Sequence, residues 1–149
     1  MPESRSLSDS AKWLGYAGLL PQMFAVLMQF DDGSLRWIAM AGGYGYAALI
    51  FSFLGGVWWG LGLASPNPPK WLFAAAVAPS LIALATYLPW TWGWQWPDVS
   101  LWVLAAALLL SPQVDLALAR KIDVPAGWLR LRLHLSVGLG LLTAILAFA

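Results

Sequence analysis

Trp37-Ile38-Ala39-Met40-Ala41-Gly42-Gly43-Tyr44-Gly45-Tyr46-Ala47-Ala48-Leu49-Ile50-Phe51-Ser52-Phe53-Leu54-Gly55-Gly56-Val57-Trp58-Trp59-Gly60-Leu61-Gly62-Leu63-Ala64 runs for 28 residues without a charged side chain. A bilayer's hydrocarbon core is about 30 Å thick and a helix rises about 1.5 Å per residue, so roughly 20 apolar residues cross it. This stretch exceeds that length and predicts a transmembrane helix that tilts or protrudes. Working outward, four more segments meet or approach the same requirement: Trp13–Phe30, Trp71–Leu88, Val99–Leu118 and Trp128–Phe148. Between them lie helix breakers, among them Asp31-Asp32-Gly33-Ser34 and Ser65-Pro66-Asn67-Pro68-Pro69. The connectors are too short for a soluble domain. Residues 1–149 therefore read as one all-α domain, an integral membrane bundle of five transmembrane helices behind a short polar segment from Met1 to Lys12. A β-barrel would need segments of about ten residues alternating in polarity, whereas these runs are continuous and rich in Ala and Leu.

Composition agrees. The chain is 60% hydrophobic and 10% charged, against roughly 45–50% and about 25% for a soluble domain. A net charge of +1 without a dense basic cluster argues against nucleic acid. The absence of cysteine removes disulfides, thiolate metal sites and thiol nucleophiles. The polar start followed by an apolar run has the layout of a signal peptide. However, Trp13–Phe30 is about as long as a full span and no small-x-small cleavage site is evident, so the reading is an uncleaved first helix.

Lys and Arg set the orientation. Arg5, Lys12, Lys70, Arg120, Lys121, Arg130 and Arg132 fall on the side of the N-terminus, and only Arg36 on the other. The positive-inside rule then places the N-terminus in the cytoplasm and, with five spans, the C-terminus outside. Tryptophan, with an apolar body and one N–H, settles at the headgroup boundary. Trp13, Trp71 and Trp128 open helices on the inner side and Trp37 opens one on the outer side. Trp90, Trp92, Trp94 and Trp96 alternate through the third connector, as an interfacial belt or an extended stacking platform.

The second span holds seven of the fourteen glycines. Projected at about 100° per residue, Gly45, Ala48, Ser52, Gly55, Gly56 and Trp59 share one face, with Gly60 just beyond and bulky residues opposite. Small residues let membrane helices approach closely. This face, including the Gly56-x-x-x-Gly60 pair, is the expected packing motif, whether against the protein's own helices, a homo-oligomer or a partner. Pro79 and Pro112 fall inside the third and fourth spans and should kink them.

Polar residues gather at the inner ends of the last two spans. Asp115 lies a turn before Arg120, and beyond the connector come Trp128, Arg130, Arg132 and His134. Arg130 and His134, at i and i+4, share a helical face. Antiparallel neighbours would bring Asp115 near this cluster, and a carboxylate at the edge of hydrocarbon needs a partner such as Arg. The expectation is an ion pair with Arg130 or Arg132. These residues, with Trp58 and Trp59, also form a candidate lipid or anion site. One histidine and no cysteine make a poor metal site, so neither metal nor cofactor is expected.

Several stretches match in order and spacing. The run from Tyr44 to Gly60 resembles the signature of the uncharacterised family typified by transmembrane protein 69 (domain of unknown function 3429), approximately Tyr-Gly-Ala-x-Ile-Leu-Ser-Phe-Leu-Gly-Gly-x-x-Trp-Gly. Gly18-Leu19-Leu20-Pro21 resembles the family's first-helix motif, and Ala78-Pro79-Ser80-Leu81 its third-helix Pro-Ser. Pro125-Ala126-Gly127-Trp128-Leu129-Arg130-Leu131-Arg132 is similar to its lead into the last helix, preceded by an Asp that matches Asp115. The chain departs from the pattern at Trp128-Leu129, where the family usually has Trp-Tyr, and in the Trp-rich connector. The resemblance implies a small multispan protein of bacterial inner or mitochondrial membranes, with no known activity.

Enzyme chemistry finds little footing. No carboxylates pair, no nucleophile has an evident base and no phosphate-cradling loop is present. The expected role is a non-enzymatic scaffold or accessory subunit in contact with lipids and with partner helices. The alternative is a binder or transporter of a small hydrophobic or anionic ligand, in a pocket of Ser52, Trp58, Trp59 and His134.

Overall fold

A computed structural model describes residues 6–148. Arg5, one of the cations used to assign the sides, and the start of the polar segment lie outside these residues. Six helices follow in order: α1 (Asp9–Ala17), α2 (Leu20–Met28), α3 (Ser34–Ala64), α4 (Leu72–Thr91), α5 (Asp98–Ala119) and α6 (Trp128–Ala147). Among the described residues there is no strand; β pairing is confined to a single bridge between Ser6 and Ala126. The last four helices are each long and apolar enough to cross a membrane.

The first apolar segment is divided. α1 starts on Ser8, whose hydroxyl accepts from the Ala11 amide at 3.2 Å, a side-chain N-cap. α1 and α2 have nine residues each, about 14 Å apiece and short of a span. The break follows from Pro21, which has no N–H to offer the carbonyl four residues back and whose ring crowds it. Gly18 and Leu19 both stay in the right-handed helical region, so the chain bends here without reversing. The Tyr46 hydroxyl of α3 donates to the Gly18 carbonyl, which fastens the bend to the longest helix.

Helix pairs α5–α6 and α3–α4 carry the most extensive packing, and α2 lies on α3 and α6. Close approach occurs where side chains vanish. The carbonyl oxygen of Ala76 occupies the place a Cβ on Gly55 would take, and Leu109 crowds Gly140 in the same way. Without a hydrophobic force between helices in lipid, such contact is what holds them together. The buried side of α3 carries Met40, Tyr44, Ala47, Phe51, Leu54 and Trp58. This side lies roughly a third of a turn from the Ser52-centred glycine face.

The connectors are tighter than the sequence suggests. α4 continues past Pro89 to Thr91, whose hydroxyl donates to the Leu88 carbonyl at 2.7 Å. The chain then turns at Gly93, with φ of +74°, a left-handed conformation that glycine adopts at least cost.

Candidate functional site

Pro112 shapes the polar interior. Lacking an N–H, it leaves the Leu108 carbonyl without its helical donor, and the neighbouring Ser111 hydroxyl donates to that carbonyl at 2.8 Å. Ser111 has one hydroxyl proton, so in its 3.0 Å contact with Ser136 the proton comes from Ser136. The Ser136 oxygen accepts in turn from Nη2 of Arg132, one turn earlier on α6, at 3.0 Å. A directional chain thus runs from a guanidinium to a freed backbone carbonyl, joining α6 to α5.

Arg132 also faces Asp115. Its Nε lies 3.3 Å from Asp115 Oδ2, but the two atoms are not aligned as a hydrogen bond. The other carboxylate oxygen, Oδ1, accepts from Trp58 Nε1 at 2.7 Å. Asp115 is fully buried, and the Arg132 side chain is 14% exposed. Three helices therefore meet on one carboxylate, which as an isolated charge in hydrocarbon would be costly.

Beside this cluster is a cavity of about 160 Å³. Its apolar walls come from Leu14 and Leu19, from Ile50 and Phe53 on α3, and from Leu135 and Leu139 on α6. Arg132 and Ser136 supply the polar lining, and Arg132 is the lining residue nearest the start of α6. Leu14 and Phe53 are 74% and 69% exposed, so the cavity opens sideways between α1 and α3.

The sequence-derived candidates separate. Arg132, not Arg130, pairs with Asp115; Arg130 is exposed. His134 is exposed and bonds through Nδ1 to the Tyr16 hydroxyl at 2.8 Å. Trp58 is buried, whereas Trp59 on the next position is 43% exposed and meets Phe73 edge-on. Trp128 opens α6 and is buried in the core. Ser52, Trp58, Trp59 and His134 do not line the cavity.

The packing motif also divides. Gly55 is filled by its neighbour, while Gly45, Gly56 and Gly60 would meet nothing within 4 Å if given a Cβ. Ala48 and Gly45 border a groove of about 460 Å³ between α3 and α4, rimmed by Trp37, Tyr87, Trp90 and Trp96. In the third connector, Trp96 packs onto Tyr44 with ring centroids 4.6 Å apart, and Trp92 and Trp94 pack on each other. Trp90 lies against Trp96 with ring centroids 5.9 Å apart, so the four tryptophans fold into two separate pairs.

Several residues were not singled out from the sequence: the exposed Tyr16, and the buried Ser111, Ser136 and Gln22, whose Nε2 donates to Thr143 at 3.1 Å within the bundle. Signals existed. Ser111 precedes a proline inside a span, Ser136 is one turn from Arg132, and Gln22 and Gln29 are seven residues apart on one helical face.

Packed apolar helices around a buried ion pair define a multispan α-helical membrane protein, rich in tryptophan. Residues 7–148 match the family described as "Protein of unknown function (DUF3429)", and the chain belongs to this family. Transmembrane protein 69 of Xenopus tropicalis is 35% identical over 85 residues, covering 53% of this chain and 34% of that protein. The chain thus matches about a third of the length of that curated relative. No solved structure matches.

Proposed function

We propose that this protein is a non-enzymatic scaffold or accessory subunit that docks a partner's transmembrane helix on the open glycine face of α3. The observation behind this reading is that a Cβ on Gly56 or Gly60, one turn apart, would meet nothing within 4 Å. Neighbouring Gly55 is filled from within the bundle. Glycines spaced in this way are what membrane helices use to associate, and here they are left unused by the fold. The lipid-facing remainder of the bundle contacts acyl chains.

The same reading takes the chain as a single domain crossing five times, with α1 and α2 together making the first span. From Asp9 to Met28 they extend about 30 Å if nearly collinear, and the helical conformation of Gly18 and Leu19 supports that course. The Lys and Arg distribution favours a cytoplasmic N-terminus and an outer C-terminus. The membrane would be the bacterial inner (plasma) membrane, or the mitochondrial inner membrane in a eukaryote.

The test is gentle detergent extraction of a Gly56→Leu/Gly60→Leu variant from its native membrane. The expected result is an unchanged melting temperature with loss of the larger species seen for the parent. An unaltered complex profile would remove the basis of the docking reading.

A further inference from the structure

We propose that the cavity between α1, α3 and α6 holds an acyl chain whose uncharged ester carbonyl accepts a hydrogen bond from Arg132. The proposal does not depend on helix docking at Gly56 and Gly60.

Shape comes first. The cavity has a polar lining at Arg132 and Ser136, close to the start of α6, and apolar walls that continue to Leu139 near its middle. That spans about 10 Å of helix, running from the edge of the hydrocarbon toward the bilayer centre. An amphiphile in one leaflet has the same gradient. Size sets a limit: a cavity of about 150 Å³ accommodates a benzene-sized group, so about 160 Å³ takes part of one chain and not a whole lipid. The remainder passes out between Leu14 and Phe53, both of which face outward.

Charge then selects the headgroup chemistry. Arg132 brings +1 to the site, but Asp115 already neutralises it at 3.3 Å. A carboxylate or phosphate entering would leave a net negative charge in a low-dielectric interior, which is costly. An alkane adds no charge but offers nothing to the guanidinium. Arg132 has five N–H donors, of which one is committed to Ser136, and its side chain reaches the cavity surface. A neutral carbonyl oxygen meets that surplus of donors without disturbing the charge balance. The anionic ligand expected from the positive residues in the sequence is thereby disfavoured, because the fold supplies the counter-charge itself.

The experiment uses the full chain in detergent and three photoactivatable probes with the same diazirine-bearing hydrocarbon chain: the methyl ester, the free acid at pH 8 and the plain alkane. The ester should label cavity-lining residues about tenfold more efficiently than either other probe, equivalent to about 1.4 kcal/mol. Ile50→Trp should fill the cavity and abolish this labelling. Leu14→Trp, at an exposed position that does not bear on folding, should block the mouth and do the same. Preferential labelling by the acid, equal labelling by all three probes, or labelling unaffected by Leu14→Trp would each overturn the proposal.

Discussion

Trp58 and Asp115 are 57 positions apart in the chain, yet the indole N–H of one donates to the carboxylate of the other at 2.7 Å inside the bundle. The bond ties α3 to α5, two helices with little other contact. Interhelical bonds in membranes average about 0.6 kcal/mol and reach about 1.7. This one belongs at the upper end because its acceptor is charged. Trp58→Phe should therefore lower stability by about 1–2 kcal/mol in reversible unfolding in mixed micelles, and Trp59→Phe by under about 0.5 kcal/mol. Equal effects would show that the bond contributes little.

How far this was legible depends on what each residue's neighbours encode. The apolar runs announce the helices because a bilayer sets their length. Asp115 demanded a partner because hydrocarbon penalises a lone charge. The choice of Arg132 over Arg130 was not encoded, since two residues along a helix change its face by about 200° and the facing surface is set by tertiary packing. Gly55 and Gly56 look alike in the sequence. Only the position of Ala76 on α4 makes one a contact point and leaves the other open.

The ion pair should show strong non-additivity. Asp115→Ala or Arg132→Ala leaves the other charge buried and should cost about 3–5 kcal/mol. The double variant loses both charges together and should cost less than the sum of the two by at least about 1 kcal/mol. A double-mutant cycle by chemical unfolding measures this, and additive losses would mean that water already solvates the pair.

The two adjacent glycines predict opposite outcomes for one substitution. Gly55→Ala drives a methyl into the Ala76 carbonyl and should destabilise by about 1–3 kcal/mol through overpacking. Gly56→Ala meets open space and should be neutral or gain a few tenths of a kcal/mol from helix propensity. Thermal unfolding of the two variants in one detergent decides the matter.

Ser111 should matter only because Pro112 follows it. In the parent chain, Ser111→Ala strips the Leu108 carbonyl of its donor and should cost about 1 kcal/mol. Pro112→Ala restores a backbone N–H that can reach that carbonyl. In that background the Ser111→Ala cost should fall by at least half, read as a coupling in a double-mutant cycle. An unchanged cost would assign the serine's value to its contact with Ser136 instead.

The absence of native cysteine makes single-cysteine labelling a clean test of how the chain crosses the membrane. Asp32 just before α3, and Asn67, Gln95 and Asp123 in the connectors between α3, α4, α5 and α6, are all exposed. If α3 to α6 each cross, cysteines at positions 32 and 95 should label from one side and those at 67 and 123 from the other. The deciding position is Ser10, exposed near the start of α1. If α1 and α2 cross as one bent span, a cysteine there should react with an impermeant maleimide only from the side of Asn67, which the Lys and Arg count makes cytoplasmic. Labelling from the side of Asp32 would overturn the five-span reading, because Ser6 bridges Ala126 in the connector that also holds Asp123.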